Sequence, residues 1–160
     1  MSALMGLWMA LSSHLPTVTD EVRFFAWTMG VDPDLAQAVT IVESGERDGL
    51  VSKTGDFGRG QVNCHTWLRK LGIESCAQLL NVHINAWAQA RVMAAFKRRF
   101  AARDGWACRC RESKGTPHWW IAHYNSGNKL TPRGMAYQMV ARWHVKRLVR
   151  ERAEKGGKRS

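Results

Sequence analysis

The sequence predicts a mainly helical fold with one small lobe made of a β-hairpin or loop. Apolar residues recur at three- and four-residue intervals through most of the chain, whereas sustained alternation of apolar and polar residues is rare. Glycines crowd the segment from 49 to 60, where they disfavour helix. At 160 residues and 45% hydrophobic composition, the chain is long enough for one sizeable core.

Two helices are predicted before the glycine-rich segment. The first covers residues 22–29 and ends at Gly30. The second begins at residues 32–34, where an aspartate caps, a proline suits the first turn and another aspartate complements the positive helix end. It ends near residues 44–45, and its core stripe consists of Leu35, Ala38, Val39 and Val42.

A long central helix is predicted from residue 76 to about 100, followed by a surface connection over 103–116. Helix resumes near Pro117, breaks at 125–128 and continues from 135 to about 152, and the end from 155 to 160 is expected to be disordered. The apolar face predicted for the central helix holds Leu80, Ile84, Trp87 and Ala88. We predict an apolar extension over 1–20, one domain over 21–148 and a basic tail over 149–160.

The charge is divided unevenly along the chain. Residues 1–96 carry seven Lys/Arg against nine Asp/Glu, and residues 97–160 carry seventeen against four, so the C-terminal part supplies the net charge of +11. Such a basic segment either binds an anionic surface (nucleic acid, acidic lipid or wall polymer) or forms a solvated helix face. No specific nucleic-acid motif is present, so nucleic acid is the secondary interpretation.

The cysteines and the N-terminus carry few signals. The four cysteines at positions 64, 76, 108 and 110 follow neither a zinc-site nor a CxxC pattern, and we expect no metal or cofactor. Free buried thiols are favoured, while a disulfide from Cys64 to Cys76 or to the 108/110 cluster remains the alternative. Residues 1–15 make an unconvincing signal peptide, and no apolar run reaches the roughly twenty residues of a transmembrane span.

Three ordered motifs carry a family resemblance. The first is Glu43-Ser44-Gly45 followed by Ser52, Gly55, Gly58 and Gln61; the second is the run Ala122-His123-Tyr124-Asn125-Ser126-Gly127; the third is Tyr137 with Val140. Together they resemble the signature of lytic transglycosylases of the soluble type, in the lysozyme superfamily. The resemblance implies a lysozyme-like α or α+β domain, with the small lobe after the catalytic glutamate.

The resemblance also implies an activity and a set of site residues. Lytic transglycosylases cleave the bond between N-acetylmuramic acid and N-acetylglucosamine in peptidoglycan without water, leaving 1,6-anhydro ends. Glu43 is then the acid and afterwards the base, and its position near a helix C-terminus raises its pKa. The other implied site residues, which bind the substrate, are Ser52, Gln61, Tyr124 and Asn125. Their partner is a peptidoglycan glycan strand.

Two alternatives stay open. The segment from Asp56 to Asn63 is similar to one in c-type lysozymes, so Asp56 is a second carboxylate for a hydrolytic muramidase. In the other alternative, the protein is mainly a wall-docking component of a phage particle or secretion apparatus. We expect action on the periplasmic cell wall, with delivery as a phage virion component or lysis enzyme. Phage structural or secretion-apparatus proteins are then further partners.

Overall fold

The protein is mainly helical, as predicted. The computed structural model describes residues 17–100, 119–127 and 131–157. In chain order, the described elements are α1 (Val18–Thr28), α2 (Pro33–Ser44), β1 (Asp56–Phe57), β2 (Val62–Asn63), α3 (Cys64–Leu71), a 3-10 helix (Cys76–Leu80), α4 (Val82–Phe100), a second 3-10 helix (Trp119–Ile121), α5 (Ala122–Ser126) and α6 (Pro132–Gly157). The predicted connection over 103–116, with Cys108 and Cys110, lies outside the described residues.

The boundaries of α2 are those that its sequence predicts. The Asp32 side chain accepts hydrogen bonds from the backbone N–H of Asp34 and Leu35, with Pro33 in the first turn. Gly45 ends the helix in the left-handed conformation. Helix α1 begins earlier than predicted, because Thr17 accepts a hydrogen bond from the backbone N–H of Asp20 and acts as its N-cap.

The glycine-rich segment forms a small antiparallel hairpin. Asp56 pairs with Asn63, Phe57 pairs with Val62, and an isolated bridge joins Val51 to Phe57. The hairpin packs against α4 and the first 3-10 helix. The predicted small lobe is therefore present directly after the helix that carries Glu43.

Helix α4 lies at the centre of the core, but two details of the prediction were wrong. The segment from residue 76 is a 3-10 helix rather than a continuation of α4, because the Asn81 side chain caps α4 by accepting from the backbone N–H of His83 and Ile84. The predicted apolar face is only partly right: Ala88 is buried and Trp87 packs against the core, but Leu80 is exposed and Ile84 is half-buried. The fully buried residues of α4 include Asn85, Ala86, Ala88, Gln89, Ala90, Val92, Met93 and Ala94.

A disulfide replaces the free thiols that the sequence favoured at two positions. Cys64 begins α3 directly after the hairpin, and Cys76 begins the 3-10 helix, with 5.6 Å between their Cα atoms. The cross-link closes the connection that includes α3 beside the hairpin. It therefore restrains one side of the lobe.

Helix α6 runs antiparallel to α2, and ion pairs fix the start of α2 against its neighbours. Arg152 of α6 and Arg23 of α1 both pair with Asp34 at the start of α2. Burial by itself raises the pKa of Asp34, but these hydrogen bonds and charges hold it below its ordinary value. The helix continues through residues 155–157, which were expected to be disordered.

Within the described part of the chain, no helix is both long and apolar enough to cross a membrane.

Candidate active site

Glu43 lies at the C-terminal end of α2, half-buried where α2 packs on α6, and it is close enough to Asp56 of the hairpin for the two charges to interact. Burial raises the pKa of its carboxyl group to about 7, and the negative charge of Asp56 acts in the same direction. A hydrogen bond from Tyr137 and the positive charge of Arg133 act in the opposite direction. A substantial fraction of Glu43 is therefore protonated at neutral pH.

Tyr137 is the residue that holds Glu43. Its hydroxyl group donates a hydrogen bond of 2.7 Å to Oε1 of Glu43, and the tyrosine is buried in the face of α6 that packs on α2. The sequence did not assign Tyr137 to the site. Its position in the Tyr-x-x-Val motif was the sequence feature that could have placed Tyr137 in the site.

The pKa of Asp56 is shifted in the opposite direction to that of Glu43. Its carboxylate accepts hydrogen bonds from Ser52 at 2.6 Å, from Thr54 at 2.5 Å and from Asn63 at 2.9 Å. Burial by itself raises the pKa of Asp56, but the three donors hold it below its ordinary value. Asp56 is therefore ionised at neutral pH and engaged within the hairpin.

Two predicted substrate-binding residues face their own loop. The Ser52 hydroxyl group donates to Asp56 and also accepts from the backbone N–H of Asp56 at 3.0 Å. The Gln61 side-chain amide donates to the carbonyl oxygen of Gly58 at 2.8 Å. Gln61 also has a φ of 46°, an uncommon backbone conformation for a residue other than glycine. Both side chains therefore shape the loop beside Glu43.

Gly60 connects the hairpin to two helices. Its backbone N–H donates to Oδ1 of Asn85 at 2.7 Å, and its carbonyl oxygen accepts from the hydroxyl group of Tyr124 at 2.8 Å. A Cβ atom at this position would lie 2.6 Å from Oε1 of Gln89. The loop thus approaches α4 at a distance that only glycine allows, and α5 fixes it from the other side.

Asn85 and Gln89 form a buried polar row that the sequence did not single out. The Asn85 amide also donates to the carbonyl oxygens of Phe57 and Leu79, at 2.8 and 2.9 Å. The Gln89 amide donates to the carbonyl oxygen of Ala36, and its oxygen accepts from Thr40. Through these bonds, α4 fixes the hairpin relative to α2, which carries Glu43. The sequence feature that could have revealed this row is a pair of amide side chains spaced four residues apart on an apolar helix face.

The motif at residues 122–127 supplies one side chain near the acid. The rings of Tyr124 and Tyr137 lie 6.5 Å apart and nearly parallel, and the charges of Glu43 and Asp56 both raise the pKa of Tyr124, although burial is the larger cause. Tyr124 therefore lies beside the two carboxyl groups, with its hydroxyl group on Gly60. Asn125 is half-buried, and its side chain makes no hydrogen bond with the described residues.

The assembled residues can donate a proton near neutral pH while keeping a fixed negative charge close by. Glu43 can act as the proton donor and Asp56 as the fixed charge, because burial outweighs the other influences on the pKa of Glu43, whereas three hydrogen bonds together outweigh burial at Asp56. No protein-family model, curated protein or solved structure matches this chain.

Proposed function

We propose that the protein is a peptidoglycan lytic transglycosylase with a lysozyme-like fold and that Glu43 is its catalytic acid and base. The observation that carries the proposal is the raised pKa of Glu43, about 7, at a half-buried helix end. A general acid works best when its pKa lies near the working pH, because it is then protonated and still able to release its proton. The three sequence motifs support the choice of substrate.

In the proposed reaction, protonated Glu43 donates its proton to the glycosidic oxygen between N-acetylmuramic acid and N-acetylglucosamine. The C1–O bond breaks, and the departing sugar leaves as an alcohol. The hydrogen bond from Tyr137 fixes the Glu43 carboxyl group and stabilises the carboxylate that remains. The carboxylate then accepts the proton of the muramic C6 hydroxyl group, whose oxygen bonds to C1 and closes the anhydro ring.

The internal hydroxyl group competes well with water because it is already held close to C1. Effective molarities of about 10⁵ M and above are known for well-oriented intramolecular reactions. This reaction needs one carboxyl group that changes protonation state. The near-neutral pKa of Glu43 fits both of its tasks.

The test is the chemical identity of the glycan ends that the protein releases from purified peptidoglycan. Mass spectrometry is expected to find 1,6-anhydromuramic ends with wild-type protein. The variant Glu43→Gln should release them about 10² to 10⁴ times more slowly. Glu46→Gln is the matched control, since it removes a carboxylate three residues away and should retain activity. Reducing ends from the wild-type protein would contradict transglycosylation.

The second candidate is a hydrolytic muramidase that uses Asp56 as well. The observation in its favour is that Asp56 is ionised and close enough for its charge to raise the pKa of Glu43. Asp56→Asn discriminates between the reactions: a muramidase should lose most of its turnover, whereas a transglycosylase should retain a substantial part. Reducing-end products together with an inactive Asp56→Asn variant would establish the second candidate.

A further inference from the structure

The side of α6 that points away from the core has an unusual composition. Met139 is 71% exposed, Val140 46% and Trp143 58%, and Ala136 is exposed beside them. These residues occupy one helix face, because they are spaced three, four or seven positions apart or are direct neighbours. Four of the seven large hydrophobic residues that are exposed in the described part of the chain belong to α6.

The same face continues into basic residues. Lys146, Arg147 and Arg150 follow Trp143 at three, four and seven positions, and all three are exposed. The Arg147 guanidinium group lies 5.5 Å from the ring centroid of Trp143, and it pairs with Glu151 at 3.4 Å. Lys146 and Arg150 form no ion pair with any described residue. From residue 132 to 150, α6 contains no acidic residue.

We propose that this outer face of α6, formed by Ala136, Met139, Val140, Trp143, Lys146, Arg147 and Arg150, docks on an anionic phospholipid bilayer. A bilayer surface offers negative headgroups directly beside an apolar layer, which matches cations that adjoin exposed apolar side chains on one helix. Tryptophan favours this interface, and arginine and lysine keep their charges among the headgroups while their stems lie deeper.

Other polyanions fit the face less well. Nucleic acid and acidic wall polymers would complement Lys146 and Arg150, but they present charged and polar backbones with no apolar layer for Met139 and Val140. An exposed apolar patch of this kind instead marks a surface that another apolar surface covers. The docking does not involve Glu43, because Tyr137, which contacts it, lies on the buried face of the same helix.

The experiment measures co-sedimentation of the full-length protein with phosphatidylglycerol vesicles and with phosphatidylcholine vesicles. Binding to phosphatidylglycerol is expected to be at least about tenfold stronger and to weaken with added salt. The double variant Lys146→Glu, Arg150→Glu should lower that binding at least about tenfold. Arg69→Glu, Lys70→Glu is the matched control, because it makes the same charge change at exposed positions on α3.

The apolar part has its own variant and control. Met139→Ser, Trp143→Ser should lower vesicle binding about tenfold or more, while Trp27→Ser, at a tryptophan that is 69% exposed on α1, should change it little. Circular dichroism checks that the variants keep their helices. Glu43→Gln should bind as the wild type does, so loss of enzymatic activity and loss of docking are separable.

Three results would overturn the proposal. They are equal binding to both kinds of vesicle, binding that the α6 variants and the control variants alter to the same extent, and absence of vesicle binding. If the α6 variants instead abolish binding to DNA or to purified peptidoglycan while vesicles are ignored, the face serves a different polymer and the bilayer proposal is wrong.

Discussion

The end of α2 and the hairpin each present a carboxyl group to the same site, yet the protein treats the two groups in opposite ways. Among the described residues, Glu43 receives one side-chain hydrogen bond, from Tyr137, and burial raises its pKa to about 7. Asp56 receives three side-chain hydrogen bonds, and its pKa falls despite burial. Deeper burial with one donor at Glu43, and shallower burial with three donors at Asp56, together decide which carboxyl group keeps its proton.

The difference has a structural origin. A helix C-terminus offers carbonyl oxygens and few donors, so a carboxyl group there gains little from the backbone. A tight hairpin rich in Ser, Thr and Asn offers several donors within a few residues. In the proposed reaction, the proton donor therefore lies at the helix end and the fixed charge in the hairpin.

The largest expected effect is on stability as a function of pH, and the two carboxyl groups should act in opposite directions. Because the pKa of Glu43 is raised on folding, the stability it contributes is present below about pH 4.5 and is lost as the pH rises through about 7. Relative to Glu43→Gln, the wild type should lose up to about 3 kcal/mol over this window. Urea unfolding at a series of pH values measures the difference in the free energy of unfolding between the wild type and the variant.

The same experiment with Asp56→Asn should give the opposite slope. The pKa of Asp56 is lowered on folding, so the stability it contributes is present above its ordinary value of 3.8 and is lost as the pH falls through the folded value. The advantage of the wild type over Asp56→Asn should therefore shrink in acid. A gap that does not depend on pH for either variant would contradict the comparison.

Removal of the disulfide tests how far the hairpin side depends on its cross-link. The double variant Cys64→Ser, Cys76→Ser should lower the free energy of unfolding by about 3 kcal/mol, because the closed loop of about twelve residues gains freedom in the unfolded chain. The wild type in a reducing agent should show the same loss, and the variant should show no further loss. Unchanged stability on reduction would mean that the disulfide does not form.

Tyr137→Phe removes the one side-chain hydrogen bond that the Glu43 carboxyl group receives within the described residues, and it should cost about 1.5 to 3 kcal/mol of stability where Glu43 is ionised. The hydrogen bond lowers the pKa of Glu43, so its loss should raise that pKa and move the alkaline limb of the activity profile upward. Tyr124→Phe is the matched control, because its hydroxyl group bonds to Gly60 instead. It should lower stability without moving the limb, and equal shifts would refute the assignment.

The smallest expected effect is that of Ser52→Ala. This change removes one of three donors to Asp56 and should cost about 1 kcal/mol. It should also raise the pKa of Asp56, which carbon-detected NMR titration of the carboxyl group measures. A direct role of Ser52 in holding substrate would instead appear as a raised KM at unchanged stability.

Much of the local structure was predictable because the signals are local. The cap at Asp32, the end of α2 at Gly45 and the hairpin after it depend on residues within one or two turns of each other. The division between the 3-10 helix and α4 was missed although Asn81 is a capping residue, because the apolar periodicity continues across it.

The candidate site was only partly predictable. Glu43 and Asp56 were identified from motifs, but the motifs did not show that Ser52 serves Asp56 or that Gln61 bonds within its own loop. Those bonds depend on the conformation of the turn. The roles proposed for these residues in binding substrate stay predictions.

By itself, the sequence determined a mainly helical chain, a capped helix with a glutamate in its last turn and a hairpin lobe after it. Only the tertiary structure decided that Tyr137, ninety-four residues away, donates to Glu43, and that Asn85 and Tyr124 hold Gly60 from two sides. The physical reason is the distance along the chain between the interacting residues. Caps and turns depend on neighbours in the sequence, whereas the pKa of a carboxyl group depends on the burial, donors and charges that tertiary packing places around it.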